Sequence, residues 1–183
     1  MATGKELEAK ISTYKWRKLI QLWKEITLQT IQDWEAGKAL EYLVLRAFQL
    51  EGAEVQWPYQ VKVVSGEIIE QIDGVVYSDN LACLIECKDS TEPVNIEPIA
   101  KLRNQLLRRP SATIGVVFSR GGFTAPAITL AQFLAPQTIL LWEGNEIEYA
   151  LEKRVFRRGL AEKYRFCVEK GFPNYDLKKG EST

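Results

Sequence analysis
Apolar residues recur with a helical period at the start of the chain. From residue 5 to 33, Trp16, Leu19, Trp23 and Ile26 return at intervals of three and four, with no Gly or Pro after Gly4. This predicts one long amphipathic helix. Its aromatic stripe suits packing on the rest of the domain or on a second copy of the chain. A second helix is predicted from about Trp34 to Leu50, closed by Gly52, with Leu40, Leu43, Val44, Ala47 and Phe48 on one face. Glu41 lies at the edge of that face, where a carboxylate is unfavourable unless it is paired or binds a cation.

The period then shortens. "EVQWPYQVKVV", "EIIEQIDGVVY" and "LACLIECK" are rich in β-branched residues and separated by Ser65-Gly66 and "SDN", predicting an antiparallel meander. Alternation places Asp73 on a face with Ile69, Gln71, Val75 and Tyr77. It also places Glu86 and Lys88 on one face, opposite Cys83, Ile85 and Cys87. From about Asn95 to Arg109 the pattern is again helical, stopped by Pro110, with Ile99, Leu102 and Leu106 inward and Lys101, Gln105 and Arg108 on another face. "ATIGVVF" and "TILLW" read as strands buried on both sides. A helix capped by Thr124 and running to about Leu134 lies between them, which implies a parallel crossover. Beyond Asn145 the chain reads as helical and basic, with Lys153, Arg154, Arg157, Arg158, Lys163 and Arg165. The expected organisation is an N-terminal helix (1–33), an α/β core (34–148) and a basic helical C-terminal extension (149–183).

Composition narrows the chemistry. Apolar residues make up 46% and charged residues 26%, an ordinary soluble balance. No apolar run approaches the roughly 20 residues that a membrane span needs. The charged N-terminus has no signal-peptide core, so a cytoplasmic protein is expected, with no membrane partner. The 24 basic and 24 acidic residues cancel, so nucleic acid would have to be met by a local patch. The chain has no histidine, which excludes Ser-His-Asp triads, histidine general bases and histidine zinc ligands. Cys83 and Cys87 read as buried reduced thiols, and Cys167 stands alone.

Carboxylates and lysines remain. If the strands of "IDGVVY" and "LIECKDS" pair, Asp73 lies near Glu86 and Lys88. Two convergent carboxylates suit a hard cation such as Mg²⁺ or Mn²⁺, which polarises a phosphoryl group and lowers the pKa of bound water. Lys88 beside them can orient or deprotonate that water, or stabilise developing charge.

These two segments resemble the PD-(D/E)xK nuclease motif, and the order of elements resembles the restriction-endonuclease-like core, a mixed β-sheet flanked by helices. More narrowly, "GKALE" (37–41) is similar to the G-x-x-x-E helix of the Mrr-type branch. "VVFSRGGFTAPAITLA" (116–131) is similar to that branch's "GFT…A…A" stretch. The resemblance covers about residues 34–148. It implies an endonuclease that cleaves DNA phosphodiesters with Mg²⁺, for which Mn²⁺ can substitute. Asp73 and Glu86 would be metal ligands, Lys88 the catalytic lysine, and Glu41 a helix acid that joins the metal site. Gln105 or Lys101 would be a polar assistant on the following helix. Ile72 stands where the motif has proline, and Glu86 where the Mrr branch often has glutamine. Arg108, Arg109, Arg120 and the basic run from Lys153 to Arg165 are candidates for DNA phosphate contacts. One such site cuts one strand, so a homodimer through the N-terminal helix would serve double-strand cleavage. The rival readings are a non-catalytic nucleic-acid-binding or partner-binding module on the same fold, and a junction-resolving nuclease.

Overall fold
A computed structural model describes residues 3–35, 37–62 and 64–182, except for the side chains of residues 180–182. The elements follow the chain as α1 (Gly4–Ser12), α2 (Trp16–Thr27), α3 (Lys38–Leu50), β1 (Glu54–Gln56), β2 (Tyr59–Lys62), β3 (Ile68–Ile72), β4 (Gly74–Ser78) and β5 (Leu81–Lys88). Then come α4 (Ile96–Leu106), β6 (Thr113–Ser119), α5 (Ala125–Gln132), β7 (Ile139–Glu143), α6 (Gly144–Lys153), α7 (Phe156–Lys170) and a 3-10 turn (Leu177–Ser182). Five strands form a mixed sheet in the order β1-β4-β5-β6-β7, and β2 pairs with β3 in a separate hairpin. The pairs β1·β4 and β4·β5 are antiparallel, while β5·β6 and β6·β7 are parallel. Both sheet faces are covered, as parallel strands require. On one face α3, α6 and α7 pack on Cys83, Ile85, Val116, Phe118 and Trp142, with α1 and α2 outside them against α3 and α6. On the other, α4 and α5 pack on Leu84, Val117 and Leu141.

The mixed α/β fold expected from the sequence is the one observed, but several local expectations need correction. The helix expected over 5–33 is two helices. Tyr14 is buried between them and its carbonyl accepts from Arg46 Nε at 3.0 Å, so the chain turns there to satisfy a tertiary bond. The second helix stops at Thr27, with Gln29 left-handed at φ 56°. Thr30 N–H reaches back to the Glu25 carbonyl and Gln29 N–H to that of Ile26, a Schellman closure without the usual glycine. The next helix begins at Lys38 rather than Trp34, which instead packs edge-on against Tyr14.

The meander is also interrupted. Pro58, which lacks a ladder donor, separates β1 from β2, and a bend at Asp73 separates β3 from β4. Ile72 and Val75 are three apart yet enter the same core cluster, so alternation does not run through Asp73 and its predicted face is wrong. The aromatic stripe of α2 faces inward. Leu19, Trp23 and Ile26 are buried against this chain's own α3 and α6, and Trp16 is half-buried, so most of that stripe is used within the chain.

The C-terminal extension shares the core. Phe156 stacks on Trp142 with centroids 5.7 Å apart, and Glu51 accepts the backbone N–H groups of Phe156 and Arg157 at 2.8 and 2.9 Å. Lys163 is fully buried, with Nζ 2.6 Å from Glu146 Oε1 and 2.7 Å from the Leu141 carbonyl. No helix among the described residues is long and apolar enough to cross a membrane.

One close approach governs the middle of the fold. A Cβ at Gly74 would come 2.5 Å from Leu45 Cδ2 and 2.7 Å from Cδ1, so α3 rests on bare backbone of β4. Gly74→Ala is expected to lower stability by about 1–3 kcal/mol through overpacking. Urea unfolding monitored by tryptophan fluorescence will measure it, and an unchanged midpoint would show that α3 can retreat freely.

Candidate active site
The pairing of β4 with β5 assembles the site. Its register ends with Gly74 opposite Ile85, so Asp73 and Glu86 are the next residues in line on the two strands. At that point β3 bends away, and Asp73 Oδ2 accepts the Cys87 backbone N–H at 2.9 Å. That bond fixes one carboxylate against the strand carrying the other. Glu86 is only 1% exposed, on the α4 side of the sheet. Lys88 Nζ lies 2.7 Å from Glu86 Oε1, and Lys101 Nζ donates to both Glu86 oxygens at 3.1 Å. Glu41 arrives from α3: it is one helical turn before Leu45, so resting Leu45 on Gly74 brings Glu41 to Asp73's end of the strand. Its Oε2 accepts from Lys38 Nζ at 2.6 Å.

The acids strain one another. Burial, followed by the charge of Asp73, pushes the Glu41 carboxyl up to about 7, with Lys38 opposing and Glu86 adding to the rise. Burial and the charge of Glu86 also raise Asp73, against the Cys87 N–H and the two lysines. Burial alone would lower the Lys88 ammonium, but the hydrogen bond and charge of Glu86, joined by Asp73, outweigh it and the group is raised. Lys88 is therefore a cation at neutral pH. Cys87, fully buried beside these carboxylates, is pushed well up and stays a neutral thiol.

Three buried carboxylates brought to one corner of the sheet are an all-oxygen donor set that fits a hard divalent cation. Glu41 and Glu86 are engaged by lysines and Asp73 by the Cys87 N–H, and among the described residues no group of three or more His, Cys, Asp or Glu side chains is set to hold a metal ion. A cation entering here would compete with Lys38 and Lys101.

The remaining sequence candidates are distributed differently. Lys101 reaches the cluster. Gln105, also buried, instead donates Nε2 to the Gln71 carbonyl at 3.2 Å and holds the hairpin. Arg108 and Arg109 close on the buried Glu70, Arg109 at 2.6 Å, and so tie β3 to the end of α4, with the Arg108 side chain still half exposed. Arg120 pairs with Asp89, and its backbone N–H donates to the Lys88 carbonyl at 3.1 Å, which makes it a brace for the end of β5. Of the basic run, Lys163 is buried and Arg157 is held by Glu51, Ser78 and Asp79, whereas Lys153, Arg154 and Arg165 are exposed. Sequence reasoning missed Lys38 and Glu70. Lys38 lies three residues before Glu41 on the helix, and Glu70 alternates with the buried Ile72, so both signals were present.

The raised Glu41 carboxyl gives a pH signature. Below about pH 4.5 Glu41 is protonated in folded and unfolded chains alike and contributes nothing. Between 4.5 and about 7 the unfolded chain ionises first, so stability falls as pH rises, and the full penalty persists above 7. In EDTA, Glu41→Gln should therefore gain on the order of 2–3 kcal/mol over wild type at alkaline pH and little in acid. Thermal unfolding across that range checks it, and a pH-independent difference would rule out the ionisation.

No curated protein matches the chain. Among solved structures, a protein of unknown function, AF1548, is similar at 19% identity and TM-score 0.49, over 72% of this chain and 76% of its own. The MspJI restriction endonuclease, solved in complex with a 27-mer oligonucleotide, is similar at 18% identity and TM-score 0.42. That likeness takes in 97% of this chain, which spans 39% of the MspJI chain. The sequence pattern of the Mrr_cat restriction endonuclease family matches residues 32–151, from before Glu41 to beyond β7. With the match extending over more than half of its length, the chain belongs to the Mrr_cat restriction endonuclease family.

Proposed function
We propose that this chain is a divalent-metal-dependent endonuclease of the Mrr-like restriction type, hydrolysing DNA phosphodiester bonds. The observation that carries the reading is the convergence of Asp73 and Glu86 at the open end of the β4·β5 pair, with the Lys88 cation 2.7 Å from Glu86. Asp73 and Glu86 would hold Mg²⁺ (Mn²⁺ can substitute), assisted by Glu41. When bound, the ion supplies Lewis-acid polarisation of the phosphate and an acidified water. Lys88, as an ammonium, hydrogen-bonds a phosphate oxygen and stabilises the charge that develops there, rather than acting as a base. Lys101, which pairs with Glu86 at 3.1 Å, would compete with such an ion for that carboxylate and, once released from it, would meet the phosphate. The Arg120 backbone and the Asp73–Cys87 bond keep the end of β5 in place while the substrate binds.

One observation favours a second reading, a non-catalytic DNA-binding module on this fold: the lysines already neutralise Glu41 and Glu86. Plasmid nicking separates the two. Wild-type protein should nick supercoiled DNA with Mg²⁺ or Mn²⁺ and not in EDTA, and Lys88→Ala should lose about 10²–10³-fold in rate. Binding without cutting in every metal would favour the module, and cutting by Lys88→Ala at the wild-type rate would remove the lysine from the mechanism.

Metal binding has its own readout. At roughly a hundredfold excess over Kd, Mg²⁺ should raise the wild-type Tm by about 5–10 °C. Asp73→Asn, which keeps an acceptor for the Cys87 N–H, should lose most of that shift. A Tm indifferent to Mg²⁺ in wild type would argue that the acids serve only the lysines.

A further inference from the structure
One stretch of the chain segregates charge. The whole sequence is neutral, yet from residue 9 to 24 it carries Lys10, Lys15, Arg17, Lys18 and Lys24 with no acid among them. The fold gathers the middle of that stretch at the turn between α1 and α2, where Thr13, Lys15, Arg17, Lys18 and Gln21 line an open groove of about 480 Å³. Lys15, Arg17, Lys18 and Lys24 are exposed, and among the described residues no carboxylate pairs with any of them. Glu25, the next acid along the helix, is taken by Gln21 Nε2 at 3.1 Å.

The fold gains nothing from this gathering. Cations repel one another, and Lys15, Arg17 and Lys18 stand at the N-terminal end of α2, whose positive dipole disfavours them further. The first turn holds no acid, and Lys15 makes no side-chain cap. Aromatic rings orient two cations of the patch without neutralising them. Lys18 Nζ lies 3.9 Å from the centroid of Tyr14, and the Arg154 guanidinium, arriving from the end of α6, lies 5.8 Å from that of Trp16. Arg154 and its neighbour Lys153 are themselves exposed and extend the patch onto α6. An anion from outside the chain would relieve the repulsion.

We propose that this surface binds the phosphate backbone of duplex DNA, as a contact separate from the carboxylate corner. Lys15, Arg17, Lys18 and Arg154 meet phosphates, which carry no sequence information, so the contact is indifferent to base order. A lipid surface fits less well. The apolar side of α2 (Leu19, Leu22, Trp23 and Ile26) is buried in the core, which leaves no apolar stripe to enter a membrane. The patch is set back from the acids. Helix α6 begins at Gly144, against the carbonyl of Arg120 just beyond β6, and its 10 residues carry the chain about 15 Å to Lys153. One duplex engages both places only several base pairs from the cut, at ~3.4 Å each. This inference rests on the nuclease reading for its partner, but its test does not depend on cleavage.

Wild-type protein and a variant combining Lys15→Gln, Arg17→Gln and Lys18→Gln are titrated in EDTA against a fluorescein-labelled duplex of about 30 base pairs, from about 50 to 200 mM NaCl, with anisotropy as the readout. A control combining Lys170→Gln, Lys178→Gln and Lys179→Gln removes the same charge at and beyond the far end of α7. Taking cations from the start of α2 does not weaken that helix, so lost binding reads the patch itself. The slope of log K against log salt should fall by about 2–3 in the first variant, with affinity at least about tenfold lower at about 100 mM. The control should stay within about 1 of the wild-type slope. Equal slopes for wild type and the first variant overturn the proposal. So does an equal fall in both variants, which would mark diffuse net charge rather than a patch. Wild-type binding to vesicles rich in anionic lipid, with none to DNA, also overturns it and assigns the surface to a membrane. The expected slope change in a protein that nicks no plasmid would keep this contact and remove the nuclease reading, and nicking with an unchanged slope would do the reverse.

Discussion
Helix α3 comes as near to β4 as it does because position 74 has no side chain, and the placement of Glu41 follows from that contact. Leu45 occupies the space a Cβ would need, and Glu41 lies one turn earlier on the same helix. The residue before Gly74 is Asp73, and the one beyond its partner Ile85 is Glu86. A single backbone approach thus sets a helix acid and two strand acids at one corner of the sheet. It also explains why the strand must break there, since the Asp73 carboxylate turns to the Cys87 N–H and β3 departs toward α4. The hairpin is then secured by Glu70 with Arg108 and Arg109, and by Gln105 on the Gln71 carbonyl.

The corner is electrically balanced, with Glu41, Asp73 and Glu86 facing Lys38, Lys88 and Lys101. It is balanced unevenly. Glu86 takes two lysines, Glu41 one, and Asp73 only a backbone donor, while burial first and the neighbouring acid second raise the proton affinity of Glu41 and Asp73. A divalent ion would relieve that imbalance by adding charge where the lysines do not reach, whereas in its absence the lysines keep the buried acids tolerable.

Much of this was legible in the sequence because local periodicity and tertiary demand agreed. Glu41 reads as an acid on an apolar helix face, and it is one. Glu86 and Lys88 share a strand face, and the ion pair between them bears this out. Legibility failed where a long-range partner overrode the local pattern. Arg46 captures the Tyr14 carbonyl and breaks the first helix, and Gln29 closes α2 in a conformation usually signalled by glycine. Asp73 interrupts its strand for a bond to a residue 14 positions away. Arg108, Arg109 and Arg120 also brace the fold through Glu70 and Asp89, which the sequence does not show to lie opposite them.

The burial of Lys163 reaches beyond the family pattern. That pattern ends at residue 151, yet Glu146 inside it takes its cation from α7, and Trp142 takes its stacking partner from Phe156. A chain cut at residue 151 would retain all three acids of the corner and the strands that align them. It would also carry an uncompensated buried carboxylate and an uncovered indole beneath β7. The smallest autonomous folding unit is therefore longer than the stretch by which the family is recognised, and the chemistry of β5 is supported from the opposite end of the polypeptide.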